Sequence, residues 1–299
     1  MHYEPHDYQK YATEKIIELP ACALFMEMGL GKTVSTLTAI DELIYDRFEV
    51  EKVLVIAPYR VADDTWTTET EKWDHLKHLR VSKVLGTSGE RIAALEADAD
   101  IYVINRENVT WLVNLTGKEW PFEMIVVDEL SSFKSNSAKR FKSLRIVRPL
   151  ARRFVGLTGT PAPNGLLDLW PQVYLIDRGE RLGKTYTGYK DRYFLPDRRN
   201  GFVVYSWTPK EGAKEAIEQK LSDICISMKA DDYLNLPAQI VNDVYVSMDR
   251  HEMRKYRELE KEKLLELDGK EITALSAAAV WGKLLQLANG AAYDGEGNV

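Results

Sequence analysis

The chain has 299 residues, 45% hydrophobic and 29% charged, with a formal net charge of -6. That is the profile of a globular protein of one large or two modest domains, and it excludes a surface coated in positive potential, though not a local basic track. No apolar run approaches membrane-spanning length and no signal-peptide core opens the chain, so the cytoplasm is the expected location. Cys22 and Cys225 lie far apart without metal-type spacing and read as buried free thiols.

Strand and helix signals alternate through the first two thirds. A helix is expected over 8–19, where Tyr8, Ala12, Ile16 and Leu19 form an apolar stripe and Asp7 is a plausible N-cap. A strand follows at 21–25, a helix at 33–44, a strand at 52–57, a helix at 65–73, a strand at 81–84 and a helix at 90–97. Strands at 101–104 and 124–127, a helix at 138–147 and a strand at 154–157 complete the series. Such alternation means crossover connections, hence an α/β fold with a parallel sheet and helices on both faces. From about residue 178 the texture changes. Residues 178–210 are rich in Gly, Tyr, Arg and Lys without a clean period and read as an insertion. A helix at 210–221, a strand at 240–246, a highly charged helix at 251–268 and an apolar helix at 274–287 follow, before a loop-like end at 293–299. The expected organisation is an α/β lobe over 1–177, an insertion or helical protrusion over 178–237, and a strand and helices over 238–299 that lead onward as a C-terminal helical extension.

The stretch Phe25-Met26-Glu27-Met28-Gly29-Leu30-Gly31-Lys32-Thr33 lies between a predicted strand and a predicted helix. That is the context a phosphate-binding loop needs. Two glycines let the backbone curl so that successive N–H groups point at an anion, and the following helix offers its positive end to the same point. Lys32 would reach the β- and γ-phosphates of ATP, and the Thr33 hydroxyl would hold Mg²⁺. The usual motif has a glycine where this chain has Met26, so a simple turn before a helix stays open for this segment taken alone.

Four apolar residues, Met124-Ile125-Val126-Val127, then run into Asp128-Glu129. This reads as a buried parallel strand ending in acids. Ligands of open α/β sheets bind at the carboxyl ends of the strands. Asp128 is therefore a candidate Mg²⁺ ligand, through water, and Glu129 a candidate for orienting or deprotonating the attacking water.

With these motifs in place the chain resembles the Swi/Snf-type ATPases of helicase superfamily II, especially compact phage and bacterial relatives, from about His6 to its end. His6-Asp7-Tyr8-Gln9 looks like the entry motif in which a glutamine reads adenine. Val53-Leu54-Val55-Ile56-Ala57-Pro58 with Trp66 and Trp73 resembles motif Ia and the helix after it. Gly156-Leu157-Thr158-Gly159-Thr160-Pro161, then Asn164 and Leu169-Trp170, resembles motif III, the most family-specific of the set. The resemblance implies a RecA-like P-loop domain. In it Gln9, Met28, Gly29, Leu30, Gly31, Lys32 and Thr33 would bind ATP, and Thr158, Gly159 and Thr160 would couple the ATP site to nucleic acid. Motif II continues Leu130-Ser131 where the family commonly has Ala-His, so coupling is expected to differ in detail. Nothing resembles motifs IV, V and VI, which would carry arginine fingers on a second lobe. The chain is therefore expected to be a piece of a two-lobed protein, a naturally short form being the alternative.

The implied partner is DNA, duplex and contacted mainly at phosphates, with no membrane partner and a monomer favoured. The acid-free run over 134–153 carries Lys134, Lys139, Arg140, Lys142, Arg145, Arg148, Arg152 and Arg153. It is the expected electrostatic footprint of phosphate contact, with a solvated cationic helix face as the alternative. The candidates for DNA contact are Arg60, Lys134, Arg145, Arg148 and Arg152. Lys184, Tyr186, Tyr189, Lys190, Arg192, Tyr193, Arg198 and Arg199 form a second basic and aromatic cluster, for which plain packing is the competing reading. The implied activity is nucleic-acid-dependent ATP hydrolysis. A nucleotide- or DNA-binding module without turnover, and a P-loop ATPase unrelated to DNA, are the rival classes.

Overall fold

The computed structural model describes residues 1–200, 203–233, 245–262, 264–267, 270–273 and 277–290. The chain forms two compact units, Met1–Leu236 and Pro237–Val299. In the first unit β1 (Ala21–Met26), β2 (Val53–Ala57), β3 (Val81–Val84), β4 (Ile101–Asn105), β5 (Met124–Asp128) and β6 (Arg153–Thr158) are the strands expected from the sequence, each within a residue or two of its expected bounds. They alternate with α1 (Asp7–Glu18), α2 (Lys32–Asp41), α3 (Trp66–Lys72), α4 (Ser88–Glu96), α5 (Val109–Thr116), α6 (Lys139–Val147) and α7 (Leu169–Asp177). Beyond them come α8 (Tyr186–Tyr193), four short strands β7 (Phe194–Pro196), β8 (Arg199–Asn200), β9 (Val203–Val204) and β10 (Trp207–Pro209), then α9 (Ala213–Leu221), β11 (Cys225–Met228) and α10 (Ala230–Tyr233).

Seven strands make one sheet in the order β11-β1-β6-β5-β2-β4-β3, and every pairing in it is parallel. Parallel strands need helical crossovers, and side chains that alternate along a strand feed two separate cores. Cys22, Leu24 and Met26 of β1 pack on one face with α1, α2 and Trp66. Ala23 of β1 packs on the other, with Ile125, Val127 and the apolar sides of α5, α6 and α7. Among the described residues no helix is long and apolar enough to cross a membrane. Both cysteines are free, and burial pushes the Cys22 thiol up to about 12, so it stays protonated and unreactive.

Several expectations need correction. The boundary at 177 cuts through the first unit: Tyr189, Phe194, Ile217 and Leu221 share a core with β5 and β6, and β11 closes the sheet edge beside β1. The segment read as an insertion is thus partly structural. The N-cap of α1 is His6, not Asp7, and the His6 backbone N–H donates to Gln9 Oε1 at 3.0 Å. In the second unit α11 (Arg250–Glu262) stops short of the expected helix end, because β12 (Leu264–Leu267) pairs antiparallel with β13 (Lys270–Thr273). Its α12 (Ala277–Ala288) matches the last expected helix closely. Most of the expected strand at 240–246, and the end at 293–299, lie outside the described residues.

Candidate nucleotide site

β1 ends at Met26 with its side chain fully buried. This explains the missing motif glycine: position 26 is still strand, paired with Met228, and needs no special backbone freedom. The curl begins later. Gly29 and Gly31 have φ of 87° and 78°, the left-handed region that glycine enters without steric cost. A Cβ on Gly31 would also stand 2.3 Å from Gln9 Nε2, so this position is closed to side chains on two counts. Leu30 between them is buried in the core and Met28 is 88% exposed. The Leu30 carbonyl accepts from Gln9 Nε2 at 3.4 Å, which ties the entry helix to the loop. Lys32 begins α2 and turns back over the loop, donating to Met26 O at 2.7 Å and Glu27 O at 3.1 Å. Burial lowers its pKa, while the charges of Asp128, Glu129 and Glu27 pull the other way, so the ammonium sits among three carboxylates.

A cavity of about 690 Å³ opens beside this loop, lined by Tyr3, Gln9, Gly31, Lys32, Thr33 and Trp73 among others. That volume lies in the range of small-ligand sites. One wall is the N-terminal segment: Tyr3 stacks on His75 with ring centroids 5.0 Å apart and meets Trp73 edge-on at 5.1 Å.

Asp128 and Glu129 occupy the carboxyl end of β5, but their environments differ. Burial raises the Asp128 pKa, and Trp66 Nε1 donates to its Oδ2 at 3.1 Å. The motif Ia resemblance marks Trp66 but does not disclose this contact with Asp128. Glu129 takes a left-handed backbone, φ 58° and ψ 60°, uncommon for a residue with a side chain and often found at functional turns. Its Oε1 accepts from the Thr158 hydroxyl at 2.8 Å and from Ser131. The Thr160 N–H donates to that same Thr158 oxygen at 3.2 Å. Gly156 acts by close approach, since a Cβ there would lie 2.4 Å from Leu130 Cδ2, whereas one on Gly159 would meet Met26 O at an ordinary contact distance of 3.4 Å. The end of β6 therefore packs on both the phosphate-loop backbone and the turn after Glu129.

The cations over 134–153 do not form one track. α6 carries the chain from the end of β5 back to the start of β6, so the run is spread across both edges of the sheet. Lys134 is exposed just past the acids, and Arg60 is exposed just past β2, both at the carboxyl edge. Arg145 is exposed on α6, its guanidinium 5.4 Å from the Tyr174 ring. Arg152 pairs with Glu123 at 3.2 Å where β5 and β6 begin, at the opposite edge. Arg148, expected at the DNA face, is instead buried. It is 6% exposed and donates to Leu175 O, Ile176 O and Ala151 O, at 2.5, 2.8 and 3.0 Å. Burial pulls its pKa down to about 10, which still leaves it charged at neutral pH. Arg153 is likewise structural, closing the end of α1 through Ile16 O, Ile17 O and Leu19 O. Arg148→Ala should cost about 2–4 kcal/mol of stability, because buried carbonyls lose their donors, and should leave duplex affinity unchanged. A urea titration beside a DNA-binding titration checks this; lost affinity at unchanged stability would restore Arg148 to the DNA face. In the second basic cluster Tyr189 and Tyr193 are buried, as packing predicts.

A family model described as the SNF2-related domain matches residues 11–290. The chain belongs to this family. As a member of the SNF2-related family it is 38% identical over 297 residues to protein p41 of Acyrthosiphon pisum secondary endosymbiont phage 1, an alignment covering 97% of this chain and 65% of that protein. It is 30% identical over 178 residues to the mouse DNA excision repair protein ERCC-6-like, covering 57% of this chain and 14% of the relative. Its fold matches the Sulfolobus solfataricus SWI2/SNF2 ATPase core in complex with dsDNA, with a TM-score of 0.64, 21% identity, and coverage of 96% of this chain and 58% of that one. The SNF2-related chain thus has the RecA-like α/β architecture of that core, and it spans under two thirds of the length of these relatives.

Proposed function

We propose that this chain is the ATP-binding lobe of a DNA-dependent ATPase that, in a two-lobed protein, hydrolyses ATP with Mg²⁺ and translocates on duplex DNA. The observation that carries this reading is the joint at one sheet edge: Lys32 in the field of Asp128 and Glu129, and Glu129 hydrogen-bonded to Thr158. The donor set suits a nucleoside triphosphate with a hard cation. Positive-φ glycines curl the loop so that its N–H groups can point at a phosphate, and the Thr33 hydroxyl would hold Mg²⁺ together with Asp128 through water. When bound, Mg²⁺ neutralises charge on the β- and γ-phosphates.

In this mechanism Gln9 faces the adenine edge while holding the loop through Leu30. Lys32 leaves the Met26 and Glu27 carbonyls for the phosphates. Asp128, oriented by Trp66, keeps one oxygen for the metal. Glu129 accepts the proton of the attacking water, and Thr158 senses its state and passes it through Gly159 and Thr160 toward the DNA side. Lys134 and Arg60 are the phosphate contacts on that side; Arg145 and Arg152 rank below them on position. The dsDNA bound to the archaeal core supports the choice of partner. Arginine fingers are worth roughly 10³–10⁵ in rate, so binding without turnover is the expected behaviour of this chain by itself. The test is ATPase rate with and without duplex DNA, in this chain and in one extended through a second lobe. Stimulation confined to the longer form is expected. A DNA-independent rate in both would assign the site to a motor of another kind.

A further inference from the structure

We propose that the two antiparallel strand segments Phe194–Asn200 and Val203–Pro209 form a DNA-contacting arm that lies in a groove of the duplex, separate from the contacts at Lys134 and Arg60. The proposal rests on the DNA reading above and adds a surface to it. The pairing between them is continuous. Leu195 pairs with Thr208, Asp197 N donates to Ser206 O at 2.9 Å, Tyr205 N donates to Arg198 O at 2.8 Å, and β8 pairs with β9 beyond. Seven residues on each strand reach about 20 Å. A two-stranded ribbon of this kind fits the major groove, which is about 12 Å wide.

The base of the arm is fixed and its outer part is bare. Tyr193 and Phe194 are buried in the core, and the Tyr189 hydroxyl donates to Leu166 O at 2.7 Å. Lys190 Nζ sits 5.2 Å from the Tyr186 ring and 4.5 Å from the Trp207 ring, clamping α8 to the ribbon. Leu166 follows Thr160 by six residues in sequence, so the base of the arm is tied to the segment that leads out of that turn. Further out, Leu195 is 54% and Tyr205 69% exposed. An apolar side chain and a ring left in water on an arm anchored at its base suit contact with sugars and bases.

Charge selects the partner. The chain carries a net charge of -6, yet residues 184–210 hold six cations against two acids. Asp197 is occupied, accepting from the Ser206 hydroxyl at 2.9 Å. Lys184, Arg192 and Arg198 are exposed and make no ion pair among the described residues. A local excess of unpaired cations on an acidic molecule is complementary to a polyanion.

The experiment titrates the full chain, and the chain carrying Arg198→Glu with Tyr205→Ala, against a 30-base-pair duplex of random sequence and a single strand of the same length. Both substitutions are on exposed positions, and ATP binding reports that the fold is intact. The variant should bind duplex about tenfold more weakly, with the slope of log affinity against log salt reduced by about one unit, and with ATP affinity unchanged. A photo-crosslinking residue at position 205 should form its adduct with duplex. Equal duplex affinity and an unchanged slope would overturn the arm while leaving the DNA reading in place. A parent chain that binds no duplex at any salt would overturn both. Equal loss on single strand and duplex would overturn the groove placement, and an adduct with a second copy of the chain instead of DNA would make the ribbon a protein interface.

Discussion

Lys32→Ala should weaken ATP and ADP binding by roughly 2–5 kcal/mol, at least about thirtyfold. The loop N–H groups remain, but phosphate oxygens drawn into a partly desolvated cradle lose their one ammonium partner. Among the described residues Lys32 donates to the carbonyls of Met26 and Glu27 on the loop surface, so its removal should leave thermal stability nearly unchanged. The pH dependence adds a second signature. Burial depresses the Lys32 pKa; a lysine in that condition surrenders its proton at lower pH than an ordinary one. Nucleotide affinity should therefore fall as pH rises, beginning below the usual lysine range, and bound phosphate should shift the fall upward. Calorimetry of both proteins across pH measures this. Equal affinities at neutral pH would remove the phosphate-loop assignment.

The parts of this fold that were legible in the sequence are those where a local pattern and the tertiary context agree. β5 reads Met124-Ile125-Val126-Val127, is buried throughout that run, and stops at the acids as a central parallel strand should. The glycines of the loop were legible as glycines, though the close approach of Gln9 to Gly31 was not, since it depends on where α1 packs. Several elements were missed, for reasons that can be named. α5 reads Val-Thr-Trp-Leu-Val-Asn-Leu-Thr, rich in β-branched residues, and is helical because one side of it is buried against the sheet. α7 has a proline in its first turn, where the missing N–H costs nothing. β11 is four residues long and declares itself only by pairing with β1. β12 and β13 are separated in sequence by Asp268-Gly269, a two-residue hairpin signal that the charged helical pattern before it concealed.

The site followed the same division. Residue types at motif positions were legible; their partners were not. Arg148 and Arg153 sit in a basic run that resembles a DNA track, yet each spends its guanidinium on backbone carbonyls at the end of a helix. Sequence counts charge, whereas exposure is set by which sheet edge a crossover helix reaches. Ser131 was expected to differ in reach from the family's usual histidine, and in the fold it turns back onto Glu129 of its own strand end. Glu129 thus takes hydrogen bonds from two hydroxyls, Ser131 on its own turn and Thr158 on β6.

That arrangement makes Glu129→Gln the sharpest probe of chemistry. The amide keeps an oxygen for the Thr158 hydroxyl, which donates to Glu129 Oε1 at 2.8 Å, and it preserves the shape of the left-handed turn. It cannot accept a proton. In a form extended through a second lobe, DNA-stimulated hydrolysis should fall by roughly 10²–10⁴, with ATP affinity and folding retained. Thr158→Val tests the other half of the pair. It leaves the base chemically intact but removes its anchor, so turnover should fall less than in Glu129→Gln, and the loss should be larger with duplex DNA present than without. Single-turnover hydrolysis in both variants separates the two roles. If Glu129→Gln turns over at the parent rate, the carboxylate is a structural acceptor for Thr158 and Ser131, and the group that takes the proton must lie elsewhere at the carboxyl edge of the sheet.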